Sequence, residues 1–455
     1  MNEILGAEKA KEMLCARMNI PLKEELSRME GADIAALMAD LEDKDLLKMY
    51  RLLKKEQAAE AFAEMTADLQ KKLIDGFTDK ELRSILDEMY LDDTVDLIDE
   101  MPASVANRIL ANSSPEDRKQ INELLKYSAD SAGGLMTTEY VLLKSGMTVK
   151  EAFDRIRRDA YDKESVYTCY VTDATRRLVG VLDVKTLLLA SEDKTVGELM
   201  NTDVIYVQTD TDREDVAREF EKYNFAVIPV TDAEKRLVGI ITVDDAVDVI
   251  VEEAEEDFAK MAAVTPSELP YLRTSVFTVF KNRFPWLLLM MITATFTSLI
   301  ISGFEDALSV CVALTAFIPM LMGSGGNSGA QSSVTVIRGL SLGEIELKDV
   351  LYVLWHELRI SVLCSLALSA VAFVKIITID RLIMGPEITA LVALTVSLTL
   401  CVTVIFAKLI GAVLPLAAKR CKLDPAVMAS PFITTVVDAL SLLVYFFVAK
   451  AVLGI

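Results

Sequence analysis

The sequence predicts a multidomain membrane protein. It reads as an all-α N-terminal helical domain, a tandem pair of α+β domains, a long connecting helix and a five-helix all-α transmembrane domain. Three observations carry this. The formal net charge is −21, yet residues 284–455 hold 10 acidic and 10 basic side chains, so the whole imbalance falls on the first 283 residues. A block in the middle of the chain recurs at a constant offset of 59 residues. The last third contains five apolar segments, each near or above the length that crosses a bilayer.

The acidic first part excludes nucleic acid as a partner, because phosphate binding needs a basic surface. Its many aliphatic residues predict a folded region rather than a disordered one. The six cysteines (15, 169, 311, 364, 401 and 421) form no CxxC pair, and three lie in apolar runs as small hydrophobes. A reducing cytoplasmic setting fits the soluble part. The N-terminus is acidic and helical, and no signal peptide is expected from it.

Residues 1–130 read as a stack of short helices. Leu46, Leu47, Tyr50 and Leu53, and later Ile85, Leu86, Met89 and Leu91, recur at helical spacing. Thr78-Asp79-Lys80-Glu81 is a capping box, and Ser114-Pro115-Glu116 places an N-cap before a proline. Asp92, Asp93 and Asp96 cluster; a solvated helix start favoured by the dipole accounts for them as readily as a metal does.

Residues 131–195 and 196–243 are the two copies of the repeat. Val171-Thr172-Asp173-Ala174 and Arg177-Leu178-Val179-Gly180-Val181 return as Val230-Thr231-Asp232-Ala233 and Arg236-Leu237-Val238-Gly239-Ile240. Each copy reads as helix, strand, turn, strand, helix. The pattern resembles a tandem of cystathionine-β-synthase-type (CBS) domains. In that family Gly-hydrophobic-x-Thr/Ser-x-x-Asp marks an adenine-nucleotide contact, which implies Gly239, Thr242 and Asp245 as contacts for ATP or another adenine nucleotide. The first copy departs from it, with Asp183 and Thr186 at the matching positions.

Residues 244–283 form the connecting segment. Its helix carries Asp244, Asp245, Asp248, Glu252, Glu253, Glu255, Glu256 and Asp257, with Lys260 the nearby base. Like charges at this spacing repel. Either water and salt offset them or a divalent cation sits between this helix and a facing acidic surface.

The apolar segments span 284–302, 307–322, 351–377, 388–418 and 425–450. Basic flanks at Arg273, Lys281 and Arg283, at Arg338 and Lys348, and at Lys419, Arg420 and Lys422 share one side, which puts the N-terminus in the cytoplasm and the C-terminus outside. The loop at 303–306 has no Lys or Arg and falls outside. After the second segment the chain reads Gly323-Ser324-Gly325-Gly326-Asn327-Ser328-Gly329-Ala330-Gln331. A broken backbone there survives only inside protein or beside water, and its free carbonyls suit a hydrated ion; a tight turn at a helix end is the plainer reading. Asp438 lies well inside the fifth segment, where a carboxylate lines an aqueous path or pairs with a lysine such as Lys408. His356, the chain's sole histidine, reads with Glu357 and Arg359 as interfacial. The membrane region contains no nucleophile–base or metal constellation, so no enzyme is expected.

These features together resemble the MgtE family of magnesium channels and transporters. The carriers are Ser131-Ala132-Gly133-Gly134-Leu135-Met136, the stretch Gly325 to Gln331, and Leu423-Asp424-Pro425 followed by Asp438. The resemblance implies a homodimer in a lipid bilayer with the pore on the two-fold axis. Asp438 would face hydrated Mg²⁺, beside Gly325, Gly326 and Asn327. The connecting helix would act as a plug. Cytosolic Mg²⁺ would hold the channel shut through Asp92, Asp96, Asp212, Glu214, Asp245, Asp248, Glu253, Glu256 and Asp424. Asn224 stands where some relatives have an acid. The rival expectation is a carrier of the same fold for Co²⁺ or Mn²⁺, or one coupling Mg²⁺ to another ion.

Overall fold

The computed structural model describes residues 5–160, 163–266, 271–272, 274–305, 311–428 and 430–454. Expectations at Arg273, at 306–310 and at 429 lie outside these. The chain divides into two compact units, Met1–Ile250 and Val251–Ile455.

The first unit begins with ten helices of 8 to 10 residues, from Ala7–Cys15 to Pro115–Leu124. Several pack on the helix two further along, as in a continuous stack of short helices. The caps lie where the sequence places them. Thr78 accepts from the Glu81 amide while Glu81 accepts from the Thr78 amide, and Ser114 accepts from the Asp117 amide with Pro115 in the first turn. Helix α1 (Leu91–Glu100) belongs to this array.

The repeat folds as two matching three-stranded sheets. In the first, β1 (Tyr140–Lys144) runs parallel to β2 (Ser165–Thr172), which is antiparallel to β3 (Leu178–Asp183). In the second, β4 (Val207–Gln208), β5 (Val227–Thr231) and β6 (Leu237–Thr242) repeat that order. The copies exchange their leading segments: Thr137, ahead of β1, bridges to Ile240 of β6, and Asn201, ahead of β4, bridges to Val181 of β3. Gly180 and Gly239 lie under these segments. A Cβ on Gly180 would come within 2.5 Å of Met200 Sδ, and one on Gly239 within 2.7 Å of Met136 Sδ. Helix α2 (Arg213–Tyr223) precedes β5, and α3 (Val243–Met261) continues unbroken from the end of β6.

The second unit contains five helices of 24 residues or more among its described residues: α4 (Val276–Gly303), α5 (Ile318–Ser341), α6 (Val350–Lys375), α7 (Ala390–Arg420) and α8 (Ser430–Leu453). Among the described residues, four spans, built on α4, α6, α7 and α8, are long and apolar enough to cross a membrane. Helix α4 starts earlier than expected because Ser275 caps it, so Lys281 and Arg283 ride on the helix instead of preceding it. Helix α6 runs on through a π-helical stretch, Ile376–Asp380, where Lys375 Nζ meets both oxygens of the buried Asp380 at 3.0 and 2.9 Å.

The second segment corrects the sequence reading. It is not one apolar span ending in a break. A 3₁₀ stretch, Val312–Phe317, leads into α5, and α5 passes through all four glycines without interruption. Gly325, Gly326 and Gly329 serve close helix packing instead. A Cβ on Gly411 of α7 would lie 2.2 Å from the Gly329 carbonyl oxygen, and one on Gly325 would lie 2.7 Å from Ser441 Oγ of α8. Glu357 is also corrected: it is 7% exposed and accepts the Ser332 hydroxyl at 2.6 Å, within the bundle rather than at an interface.

Replacing Gly411 by valine should therefore cost about 1–3 kcal/mol through overpacking, read as a lower midpoint of thermal unfolding in detergent. Gly323→Ala, whose Cβ meets nothing within 4 Å, should leave that midpoint unchanged or slightly raised.

Candidate functional site

The first unit holds an acidic cleft of about 630 Å³. Nine carboxylates line it: Glu30, Glu60, Glu64, Glu88, Asp92, Asp93, Glu164, Asp244 and Asp245. No Lys, Arg or His is among its described lining residues. Asp92 and Asp93 sit in the first turn of α1, and Asp244 and Asp245 in the first turn of α3. Acids are locally favoured at both places by the helix dipole, so each helix alone gives its carboxylates a helical reason to be there. The chain fold then brings them together.

The centre is Asp92, Glu164 and Asp245, which each offer a carboxylate oxygen within 4.8 Å of the others. Glu164 stands just ahead of β2, where its amide donates to the Glu139 carbonyl at 3.1 Å. Asp245 Oδ2 accepts the Thr242 hydroxyl at 2.7 Å, which orients it. Asp92 Oδ1 and Glu164 Oε2 are buried and have no hydrogen-bond partner. Two orphaned carboxylate oxygens facing a third carboxylate are costly unless protons or a cation complete them.

The ionisation of the cluster reports the same strain. Burial first, and then the charge of Asp93, raises Asp92; burial, and then Asp92 and Asp245, raises Glu164. Burial followed by the Asp245 charge lifts Asp93 to about 6. Burial followed by Asp92 lifts Asp96, Glu139 and Asp245 each to about 7. Asp248 is raised by burial and then by Asp244. A hard divalent ion, which takes oxygen ligands, suits this set, and Mg²⁺ keeps part of its water shell where protein ligands are few.

The residues expected from sequence divide. Asp92 and Asp245 meet, and Asp96 feels both of their charges. Asp212 instead caps α2 by accepting the Glu214 amide at 2.9 Å, and Glu214 pairs with Arg218. Asn224 closes α2 in the left-handed region at φ +53, where its short amide is tolerated better than most side chains. Glu253 is half-buried on α3. Glu256 and Asp424 do come together, around the Lys260 ammonium. Gly239 meets Met136, as Gly180 meets Met200 in the copy without the nucleotide pattern, so packing accounts for that glycine. Thr242, Asp245, Ala226, Val227 and Tyr167 line the cleft together. Glu164 escaped the sequence reading, because only the β1–β2 pairing brings it to the start of α1.

In the second unit, Asp438 is half-buried on α8 and pairs with no cation among the described residues; Lys408 is buried on α7 without an ion pair there. A Cβ on Gly326 would lie 3.6 Å from Asp438 Oδ1, so α5 passes directly beside the carboxylate. Gly325 and Gly326 are buried at this crossing, whereas Gly323, Asn327, Gln331 and Arg338 form an exposed stripe along α5.

Comparison with known proteins identifies this arrangement. Residues 318–448 match a family described as a divalent cation transporter, 29–130 match the MgtE intracellular N domain, and 132–193 and 196–252 match CBS domains. The chain is 37% identical over 436 residues to a magnesium transporter of Thermus thermophilus, covering 95% of each, and 33% identical to one of Bacillus subtilis, covering 94% of this chain and 92% of that one. The first unit is similar to the crystal structure of the cytosolic domain of a Mg²⁺ channel in complex with ATP, with 39% identity and a TM-score of 0.51, covering 53% of this chain and 99% of that one. It is likewise similar to the soluble part of a magnesium transporter, at 31% identity and a TM-score of 0.51, covering 55% and 98%. A membrane helix bundle joined to a helical array and a CBS pair defines a multidomain cation transporter, not an enzyme. The chain belongs to the MgtE family of magnesium transporters.

Two outcomes test the cleft. Each raised carboxylate contributes stability that is full below its unfolded pKa of about 4 and is lost as pH rises through its folded value. Without Mg²⁺, the melting midpoint of the first unit should therefore fall by about 5 °C or more between pH 5 and pH 8, and millimolar Mg²⁺ should cancel the fall. Glu164→Gln should reduce the Mg²⁺-induced rise in that midpoint at pH 8 while leaving the circular dichroism of the unit unchanged.

Proposed function

We propose that the chain is a Mg²⁺-selective channel that carries Mg²⁺ into the cell and is closed by Mg²⁺ on its cytosolic side. The observation that carries the gate is the Asp92–Glu164–Asp245 cluster, set in a cleft whose described lining includes no base. At low Mg²⁺ the ionised carboxylates repel and loosen the contact between α1 and the start of α3. At high Mg²⁺ the ion bridges them, and closure follows to the extent that the closed form binds Mg²⁺ better. The continuous helix α3 carries the change towards the pore.

The pore is assigned to Asp438, with Asn327 and the Gly325–Gly326 crossing beside it. One carboxylate per chain suits an ion held through its water shell. The exposed polar stripe of α5 supports a homodimer whose two copies face each other there. The basic flanks support a cytoplasmic N-terminus and a C-terminus outside, in the plasma membrane. ATP or another adenine nucleotide is assigned to the CBS pair at Thr242 and Asp245, as the relative's ATP complex suggests. Sharing Asp245 would then couple nucleotide to the regulatory ion.

Flux into proteoliposomes at varied cytosolic-side Mg²⁺ tests this. Uptake should proceed at low Mg²⁺ on that face and fall as it rises. Asp245→Asn with Asp248→Asn should keep uptake and weaken the fall, and Asp438→Ala should abolish selective uptake. Uptake that ignores cytosolic-side Mg²⁺ sinks the gate. Uptake that requires an imposed Na⁺ or H⁺ gradient, or that favours Co²⁺ or Mn²⁺, would make the protein a carrier of another kind.

A further inference from the structure

The last turns of α3 carry a cation of their own. Lys260 Nζ lies 2.6 Å from Asp424 Oδ2 and also pairs with Glu256, one turn back on α3. Asp424 is held in place: its Oδ1 accepts the Ala426 amide at 2.8 Å, at the 3₁₀ turn Pro425–Met428 that precedes α8. Beside them, Asp257 Oδ2 accepts the Ser341 hydroxyl at 3.0 Å, at the end of α5. Met261 packs against Ile337 and Ala426. The end of α3 is thereby fastened to the ends of the two helices that hold Asn327 and Asp438.

Three carboxylates, from Glu256, Asp257 and Asp424, gather at this fastening with the Lys260 ammonium among them. Removing that ammonium leaves like charges that oppose the contact. A divalent ion would answer the same need, but it cannot share the space. Mg²⁺ demands ligands at about 2.0–2.1 Å in near-octahedral order, and the ammonium already occupies the gap between Glu256 and Asp424.

We infer that Lys260 is a tethered stand-in for a regulatory cation: it holds the end of α3 on the pore-helix ends when Mg²⁺ is scarce, and Mg²⁺ reaches Glu256 and Asp424 only by displacing it. The inference rests on the reading that cytosolic Mg²⁺ closes the channel. It divides the acidic groups into two kinds. The cleft carboxylates have no base and respond to Mg²⁺ by gaining charge compensation. The Glu256–Asp424 pair exchanges one cation for another, so Mg²⁺ binds there more weakly than the carboxylate count alone implies.

Hydrogen exchange of the amides of residues 256–261, in the full chain in lipid nanodiscs, tests this. The unmodified protein should protect these amides in EDTA. Lys260→Met should lose about tenfold of that protection in EDTA, the size of one charge-assisted contact, and regain it when Mg²⁺ is added. Lys260→Arg should retain protection in EDTA. Equal protection of Lys260→Met and the unmodified chain in EDTA overturns the inference. So does a loss that Mg²⁺ fails to restore, which makes the lysine a structural contact alone. Mg²⁺ flux through the same preparations separates the two readings: flux of the unmodified chain that ignores Mg²⁺ removes the gate, while the exchange data still decide whether Mg²⁺ takes the place of the Lys260 ammonium.

Discussion

Repulsion among carboxylates that the fold forces together governs the first unit. Asp92 and Asp93 open one helix, Asp244 and Asp245 open another, and Glu164 stands ahead of β2. Each is unremarkable within its own element. Folded, they face one another across a cleft whose described lining offers no base, and two of their oxygens are buried without partners. Burial and mutual charge raise Asp92 and Glu164 and lift Asp93 to about 6 and Asp245 to about 7. The packed form is thus under tension that a proton or a hard cation relieves, and this makes its stability a function of the ion concentration around it.

The second unit answers charge differently. Several of its ionisable groups have a specific setting: Glu357 accepts the Ser332 hydroxyl, Lys375 holds Asp380, and Lys260 holds Asp424. Asp438 stands apart among the described residues, half-buried beside a glycine crossing and without a cation. In a low-dielectric bundle such a group needs water or an ion near it.

Much of this was legible in the sequence, for reasons that differ by element. The capping residues Thr78 and Ser114 mark their helices because caps are local, and the 59-residue offset marks the paired sheets because each copy must form the same hydrogen-bond ladder. Asp245 and Asp438 stand out by charge in their setting, while Asp92 as an ion ligand is implied by the family resemblance. The glycine stretch was misread because the same residues that break a helix in water let helices touch in a packed bundle, and only the neighbours Ser441, Ala407 and Ile433 distinguish the two. Glu164 depends on a pairing between distant segments that no local spacing records, whereas the Asp212 cap and the Glu214–Arg218 pair are contacts two and four residues apart.

The exchange of leading segments between the two sheets has a separate consequence. Because Thr137 is woven into the sheet of the second copy and Asn201 into that of the first, neither copy is a detachable module. A cut in the link between them would leave two interlaced halves, and a duplication or loss of one copy would strand the other's edge strand without its neighbour. The pair therefore folds as a single piece, and a deformation imposed at one sheet arrives at the other without a hinge in between.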